Sequence, residues 1–538
     1  MAFNIADLFE NVVDVVPDRL ALVAGDKRRT FAELDARANR LAHHLSEAGV
    51  GVGDRVGVYG QNSVEWIEAM YAAFKIRAIP VNVNFRYVAD ELVYIFDNAD
   101  MVAVIHDREF TPRIAEIRDR VPTLRHLVVI DDHTDPSDPE FDAAELGSVP
   151  YEEALESASA ERDFPERSPD DLYVLYTGGT TGMPKGVRWR QEDVFFALGQ
   201  GIDALTGERA EHDKSLAAKA PDSGLVFCII PPLMHGAAQW GTMGQHFQGN
   251  TIVLVPKFSA AAVWELIEQE KCNSILITGD AMGRPLIEHL EAHPEIDASS
   301  LVSVSSSAAV FSVTVKDRFL ERFEHLIITD SIGSSESGFN GMTMVGKGQT
   351  MISGGGPTVT PGPDVVIFDE EMNVIEPGDE TVGKIGRTGN IPLGYHKDEA
   401  KTAATFVVAP DGTRYAIPGD WAKYEGTDKI TLLGRGSVSI NSGGEKIFPE
   451  EVEQALKDHP SVFDCLVVGV PDERWGQRVA AVVEFREGME TDLEDLVGHA
   501  RTLVAGYKVP RELHVVDQVR RSPSGKPDYP WAKDLASQ

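Results

Sequence analysis

Apolar residues recur at helical spacing at Phe31, Leu34, Ala38, Leu41 and Leu45, which predicts a helix with one buried stripe. Thr30 and Glu33 stand at capping-box spacing, where hydroxyl and carboxylate satisfy orphan amides of the first turn. Gly49 supplies the stop. An apolar run at 56–59 follows, then a helix over 63–77, a strand at 79–83, a helix from Asp90, and strands at 101–106 and 127–130. Alternation of this kind predicts a layered α/β domain with a mostly parallel sheet. Residues 131–170, acidic and proline-containing, read as a surface excursion and not as a domain boundary. A second α/β run then offers buried strands at 172–176, 226–230, 251–255, 274–278, 301–304 and 326–329.

From 341 to 433 the texture changes to glycine, proline and short apolar stretches, predicting a small β subdomain. After Gly434 it changes again: a turn-rich loop, a helix opening at Pro449, strands at 465–470 and 479–485, a helix near 491–505 and a last strand near 512–516. The expected fold class is therefore α/β. A large N-terminal domain of two layered α/β subdomains plus a small β subdomain, residues 1–435, precedes a small α+β C-terminal domain, 436–538. No internal repeat is visible.

Composition narrows the function classes. A chain of 538 residues exceeds what one core can serve, and 43% apolar with 25% charged residues is globular, not disordered. No window approaches the length of apolar residues that spans a membrane. The acidic start, MAFNIADLFENVVDVV, lacks the basic region of a secretory signal, so export is not expected. Cys228, Cys272 and Cys465 are far apart and odd in number, which excludes a disulfide framework and fits a reducing cytoplasm. The net charge of −35 argues against nucleic acid as a partner. A polyanionic substrate would then need locally placed cations, which draws attention to the few Lys and Arg within glycine-rich loops.

One such loop directly follows the predicted strand at 172–176: Thr177-Gly178-Gly179-Thr180-Thr181-Gly182-Met183-Pro184-Lys185-Gly186. Its glycines let backbone amides approach phosphate oxygens, its three threonines add donors, and Lys185 adds charge. A Walker loop requires Gly-Lys-Ser/Thr, whereas here Pro184 precedes Lys185 and Gly186 follows it.

The segment resembles the signature loop of the adenylate-forming superfamily: acyl- and aryl-CoA synthetases, peptide-synthetase adenylation domains and luciferases. Gly178 departs from the serine usual in that family. Further segments resemble the family in order and spacing over nearly the whole chain. The Pro232–Gly236 stretch looks like the acyl-pocket loop, which implies that His235 flanks the carboxylate. The 330–336 stretch resembles the adenine- and magnesium-binding segment. It implies Asp330, Ser331, Ile332 and Ser335 at the nucleotide and Glu336 as the Mg²⁺ ligand, with Ile332 where the family has an aromatic residue. Ser307 and Ala308 lie where the family walls the adenosine site, Asp420 where an acid receives both ribose hydroxyls, and Arg435 where an arginine contacts ribose and phosphate.

The resemblance also implies a hinge at Ser437, a CoA-lining loop at Gly443 and Gly444 with Lys446 near CoA phosphate, and a terminal catalytic loop that carries Lys526. What it implies is a two-step ligase. With ATP and Mg²⁺ a carboxylic acid becomes an acyl-adenylate with release of pyrophosphate; a mobile C-terminal domain then swings Lys526 away, and CoA takes the acyl group, leaving AMP. The 181–191 and 436–446 stretches look most like bacterial fatty-acid-type ligases, a subgroup that includes enzymes for steroid side-chain acids. Small residues in Ala237-Ala238-Gln239-Trp240-Gly241 are read as room for a bulky apolar chain. Rival readings are an acyl-AMP ligase that loads a carrier protein, a luciferase-like oxygenase and a non-catalytic nucleotide-binding regulator. The sequence leaves the choice of acid, and whether the chain forms a homo-oligomer, open.

Overall fold

The computed structural model describes residues 3–135, 137–177, 183–199, 201–203, 206–349, 356–436, 438–442, 445–472, 474–522 and 525–538, with backbone alone at Arg435 and Lys446. Two compact units result, Met1–Leu276 with Asn390–Ala404, and Ile277–Gly389 with Thr405–Gln538.

In the first unit, the Thr30–Glu33 capping box forms and opens the helix Phe31–Glu47, whose apolar stripe is buried as its spacing requires. Five parallel strands run in the order Ile79–Asn82, Arg55–Tyr59, Met101–Asp107, His126–Ile130, Val149–Pro150. A second parallel set comprises Leu20–Ala24, Thr251–Leu254, Val226–Ile229 and Ser274–Ile277, with Lys27–Thr30 antiparallel at its edge. The parallel strands are rich in valine and isoleucine, as befits strands covered on both faces, whereas the edge strand Lys27–Thr30 is polar and has no buried residue.

The strand expected at 172–176 corrects the reading of the second run. Leu172–Thr177 lies in a separate sheet, antiparallel to Lys185–Arg190, which in turn pairs with Gly394–Tyr395. Within Lys185–Arg190, buried Val187 and Trp189 alternate with half-buried Arg188 and Arg190, a period-two pattern hidden by the adjoining glycine motif.

In the second unit, Ser303–Ser307 and Ile327–Ser334 are parallel, and the sheet continues antiparallel through Gly338–Val345, Thr358–Pro361, Lys429–Arg435, Asp420–Glu425, Gly383–Arg387 and Val365–Phe368. The expected β subdomain is thus joined to the α/β layer by one strand, Thr358–Pro361. The C-terminal α+β unit has Val462–Asp472 antiparallel to Gly476–Phe485 and Glu512–Val515 parallel to the latter, packed against Pro449–Lys457 and Leu493–Ala500. A final helix, Tyr529–Ala536, was not evident from the sequence pattern.

Candidate active site

In the first unit, Thr177 ends one strand and is the Cα partner of Lys185 on the next. Gly178, Gly179, Thr180 and Thr181 lie outside the described residues. Lys185 is half-buried and ion-paired with Asp398, its ammonium 5.7 Å from the Tyr395 ring centroid. The hydrogen bond from Lys185 holds the Asp398 carboxyl below the usual carboxylate range.

A buried asparagine couples this strand to the loop of His235. Asn82 Nδ2 donates to the carbonyls of Tyr176 (2.8 Å) and Met234 (2.7 Å), and its Oδ1 accepts from the Tyr176 amide (2.9 Å). Asn62 braces the same loop from its other end, accepting from the Leu233 amide (2.7 Å) and donating to the Pro231 carbonyl (3.1 Å). His235 is half-buried and stands at the N-cap of the helix Gly236–His246. In that helix a methyl group at Gly236 would stand 2.6 Å from Leu175 Cδ2, and one at Gly241 2.8 Å from Leu276 Cδ2, so the helix backbone packs closely on both leucines at these two positions.

The second unit assembles the predicted nucleotide residues around the end of the Ile327–Ser334 strand. Asp330 and Ser331 are the Cα partners of Ser306 and Ser307, and Ser331 Oγ donates to the Ser306 carbonyl (3.1 Å). Ala308, exposed, holds a left-handed φ of 66° without being glycine, at a cost of about 1–3 kcal/mol. Asp330 is buried, and Lys316 Nζ donates to its Oδ2 at 2.6 Å. Burial pushes the Asp330 carboxyl up from its usual range, and Lys316 pulls it partly back. Ile332 is buried among Val359, Val365, Ile367 and Ile385, so its side chain serves the core and does not take the stacking role of the family's aromatic residue.

Ser335 and Glu336 are half-exposed on the turn between Ile327–Ser334 and Gly338–Val345. Ser337 pins that turn: its carbonyl accepts from the buried Arg387 guanidinium (2.8 Å), and its hydroxyl accepts from Asn340 Nδ2 (2.9 Å). A single carboxylate on a fixed turn fits Mg²⁺, which takes one or two carboxylates and fills its shell with phosphate oxygens and water.

Asp420, buried, and Arg435 are brought together as Cα partners at the ends of an antiparallel pair. Ser437, Gly443 and Gly444 lie outside the described residues. Lys446 pairs through its backbone with Asn441.

The Lys526 loop is fixed at several points. The Lys526 amide donates to Ser522 Oγ (3.0 Å), and the Lys526 carbonyl accepts from the Ser522 amide (2.8 Å). Gly525 has φ +73° and packs so tightly that a methyl group there would stand 2.9 Å from Ala281 Cβ. Neighbouring Gly279 donates its amide to Ser306 Oγ (3.1 Å), so close packing and then one hydrogen bond connect the lysine loop to the strand beside Asp330. Sequence reasoning missed Asn82, Lys316, Arg387 and the anchor of the lysine loop, because each acts through a partner distant in sequence.

The chain resembles known proteins along nearly its whole length. The model of the AMP-binding enzyme family matches residues 9–393, and that of the AMP-binding enzyme C-terminal domain matches 451–526. The 3-oxocholest-4-en-26-oate–CoA ligase of Rhodococcus rhodochrous is 54% identical over 99% of this chain and 96% of its own length. A medium/long-chain-fatty-acid–CoA/3-oxocholest-4-en-26-oate–CoA ligase of Mycolicibacterium smegmatis is 50% identical over 100% and 97%. Among solved structures, an anthranilate CoA ligase in complex with anthranoyl-AMP superposes with a TM-score of 0.84 at 22% identity, covering 100% of this chain and 98% of that one. ATP-bound MatB of Rhodopseudomonas palustris gives 0.81 at 23%, covering 98% of each. With both family models matched in order along one chain, and relatives above half identity over its full length, the protein belongs to the AMP-binding enzymes.

Proposed function

We propose that this protein is an ATP-dependent acyl-CoA ligase for medium- or long-chain fatty acids or steroid side-chain acids. The substrate carboxylate oxygen attacks the α-phosphorus of ATP and pyrophosphate leaves. The CoA thiol then attacks the acyl carbonyl of the adenylate and AMP leaves with the bonding pair. The observation that carries the reading is the run of contacts from the Gly525–Lys526 loop through Thr278–Ala281 to Ser306, beside the Asp330 strand.

In this reading the Thr177–Lys185 loop cradles phosphate, His235 flanks the carboxylate, and Ser307 and Ala308 wall the adenosine. Asp330 meets the adenine, Asp420 and Arg435 the ribose. Lys526 bridges carboxylate and α-phosphate as negative charge accumulates, which is the main electrostatic task of such a centre. Glu336 would hold Mg²⁺, which when bound neutralises phosphate charge. Residues 436–538 move about Ser437 between the two steps, after which Gly443, Gly444 and Lys446 serve CoA. The substrate class is supported by the names of relatives at 50–54% identity. A cytoplasmic location is supported by the three buried cysteines.

Pyrophosphate release across a panel of acids, from acetate to long-chain and steroid side-chain acids, with and without CoA, tests the proposal. CoA-dependent turnover confined to the long-chain or steroid class is expected. Pyrophosphate exchange without CoA-dependent turnover would move the protein to carrier-protein loading.

A further inference from the structure

We propose that Arg521 and Asp464 form a positioning pair that fixes the backbone of the catalytic-loop lysine, Lys526, for the adenylation step. The inference rests on the reading of Lys526 given above. Three of the Arg521 donors are used. Nε and Nη2 meet Asp464 Oδ2 (2.5 Å) and Oδ1 (2.8 Å) as a fork, and Nη1 donates to the Gly525 carbonyl at 2.9 Å. The guanidinium therefore links a carboxylate on the Val462–Asp472 strand to the peptide group that joins Gly525 to Lys526.

The carboxylate is itself fixed. Lys457 Nζ, on the Pro449–Lys457 helix, stands 3.1 Å from Asp464 Oδ1. One turn earlier on that helix, buried Glu453 accepts from the Val467 amide of the same strand at 3.0 Å. Burial alone would raise the Asp464 carboxyl, but Lys457 and Arg521 outweigh it and hold it well below the usual range. Asp464 is thus a charged anchor through the neutral pH range. Arg521 also pairs with Pro527 as an isolated antiparallel bridge, so backbone and guanidinium close the loop together.

The arrangement answers a physical need. A loop of serine, proline and glycine has little apolar surface with which to order itself, and each free residue costs about 1–2 kcal/mol of conformational entropy to fix. Lys526 must bring one ammonium to a crowded phosphate, where a misplacement of about 1 Å can cost about 100-fold. A planar guanidinium, oriented by a bidentate carboxylate, has a third donor left to hold the carbonyl; an ammonium at the same place is a point charge without that geometry.

The test separates the two half-reactions in the full-length enzyme. Pyrophosphate release from ATP and a long-chain acid reports adenylation; CoA thioester formation from supplied acyl-AMP reports the step that does not use Lys526. Arg521→Lys and Asp464→Asn are made beside Lys526→Ala. For Arg521→Lys the adenylation rate is expected to fall about 10- to 100-fold with little change in the KM for ATP, while thioester formation stays within about twofold. The double variant Arg521→Lys/Lys526→Ala is expected to be no slower than Lys526→Ala alone. Equal loss in both half-reactions, or additive loss in the double variant, would overturn the inference and leave Arg521 a stability residue. Should Arg521→Lys melt early, Asp464→Asn read at a temperature where it is folded gives the same two comparisons. Undiminished adenylation by Lys526→Ala would overturn the underlying reading; loss there together with wild-type adenylation by both anchor variants would overturn the positioning role alone.

Discussion

Lys316 reaches from the helix Val313–Arg322 to within 2.6 Å of Asp330, and both side chains are buried. The carboxylate that the motif assigns to adenine thus already holds a cation. Burial raises the Asp330 carboxyl above its unfolded value, so this group contributes most below the unfolded value and that contribution is lost as pH rises through the folded one. Lys316 opposes the loss. Lys316→Met should therefore destabilise most at neutral to alkaline pH, by about 3–5 kcal/mol for a broken buried pair, and least in acid. Chemical denaturation from pH 5 to pH 8 checks the sign: a penalty that grew toward acid would contradict it.

Asn82 ties the strand before the glycine-rich loop to the His235 loop with three hydrogen bonds. Asn82→Ala leaves buried amide and carbonyl groups of Tyr176 and Met234 unsatisfied, at about 1–3 kcal/mol each. The expected signature is a KM increase for both ATP and acid together, read by steady-state kinetics on protein that remains folded. A change confined to one substrate would show that the two loops are held independently.

Glu336→Gln keeps the size of the side chain and removes the charge that would hold Mg²⁺. Adenylation should fall on the order of 100-fold, the scale of losing one electrostatic stabiliser, with half-maximal activity shifted to higher Mg²⁺. A Mg²⁺ titration of pyrophosphate release decides it; an unchanged midpoint would remove Glu336 from the metal.

Away from the site, Asp107 is buried at the end of Met101–Asp107, and its carboxyl is pushed up to about 8. Burial is the main cause, with Asp132, Glu109 and Glu65 adding to it against the Gln61 amide. A folded value above the unfolded one means stability is lost as pH rises through about 8. Melting temperature should fall as pH rises from about 5 to about 8 and level off above that, and Asp107→Asn should flatten that slope. An equal slope in the variant would assign the loss to other groups.

What could be read from sequence was what lies close along the chain. Thr30 and Glu33 are three residues apart and formed the predicted cap. Asp330 and Glu336 share one strand and its turn, so their spacing survives as geometry. Lys316, Arg387 and Asp464 were illegible for the converse reason: each meets its partner across folded layers, where no spacing rule operates. Gly241 shows a third case: its small size was legible, and the structure adds that its backbone packs closely on Leu276, a residue 35 positions away. Ile332 shows a fourth: a departure from the family pattern was visible, and only the structure shows the side chain turned into the β core.

The short strand Gly394–Tyr395 completes the sheet of Lys185–Arg190, and Asp398 just beyond it supplies the counter-charge of Lys185. Both belong to a segment, Asn390–Ala404, that returns to the first unit after an excursion of more than a hundred residues. During synthesis Lys185 must therefore wait for its partner until residues near 404 have left the ribosome, many seconds after Lys185 itself at about 5–20 residues per second. A fragment ending at Leu276 would carry the loop and the parallel strands of the first unit up to Leu276, yet lack the edge that finishes this sheet. The first unit is one body in space but two deliveries in time, and the strand that closes the Lys185–Arg190 sheet is the part delivered last.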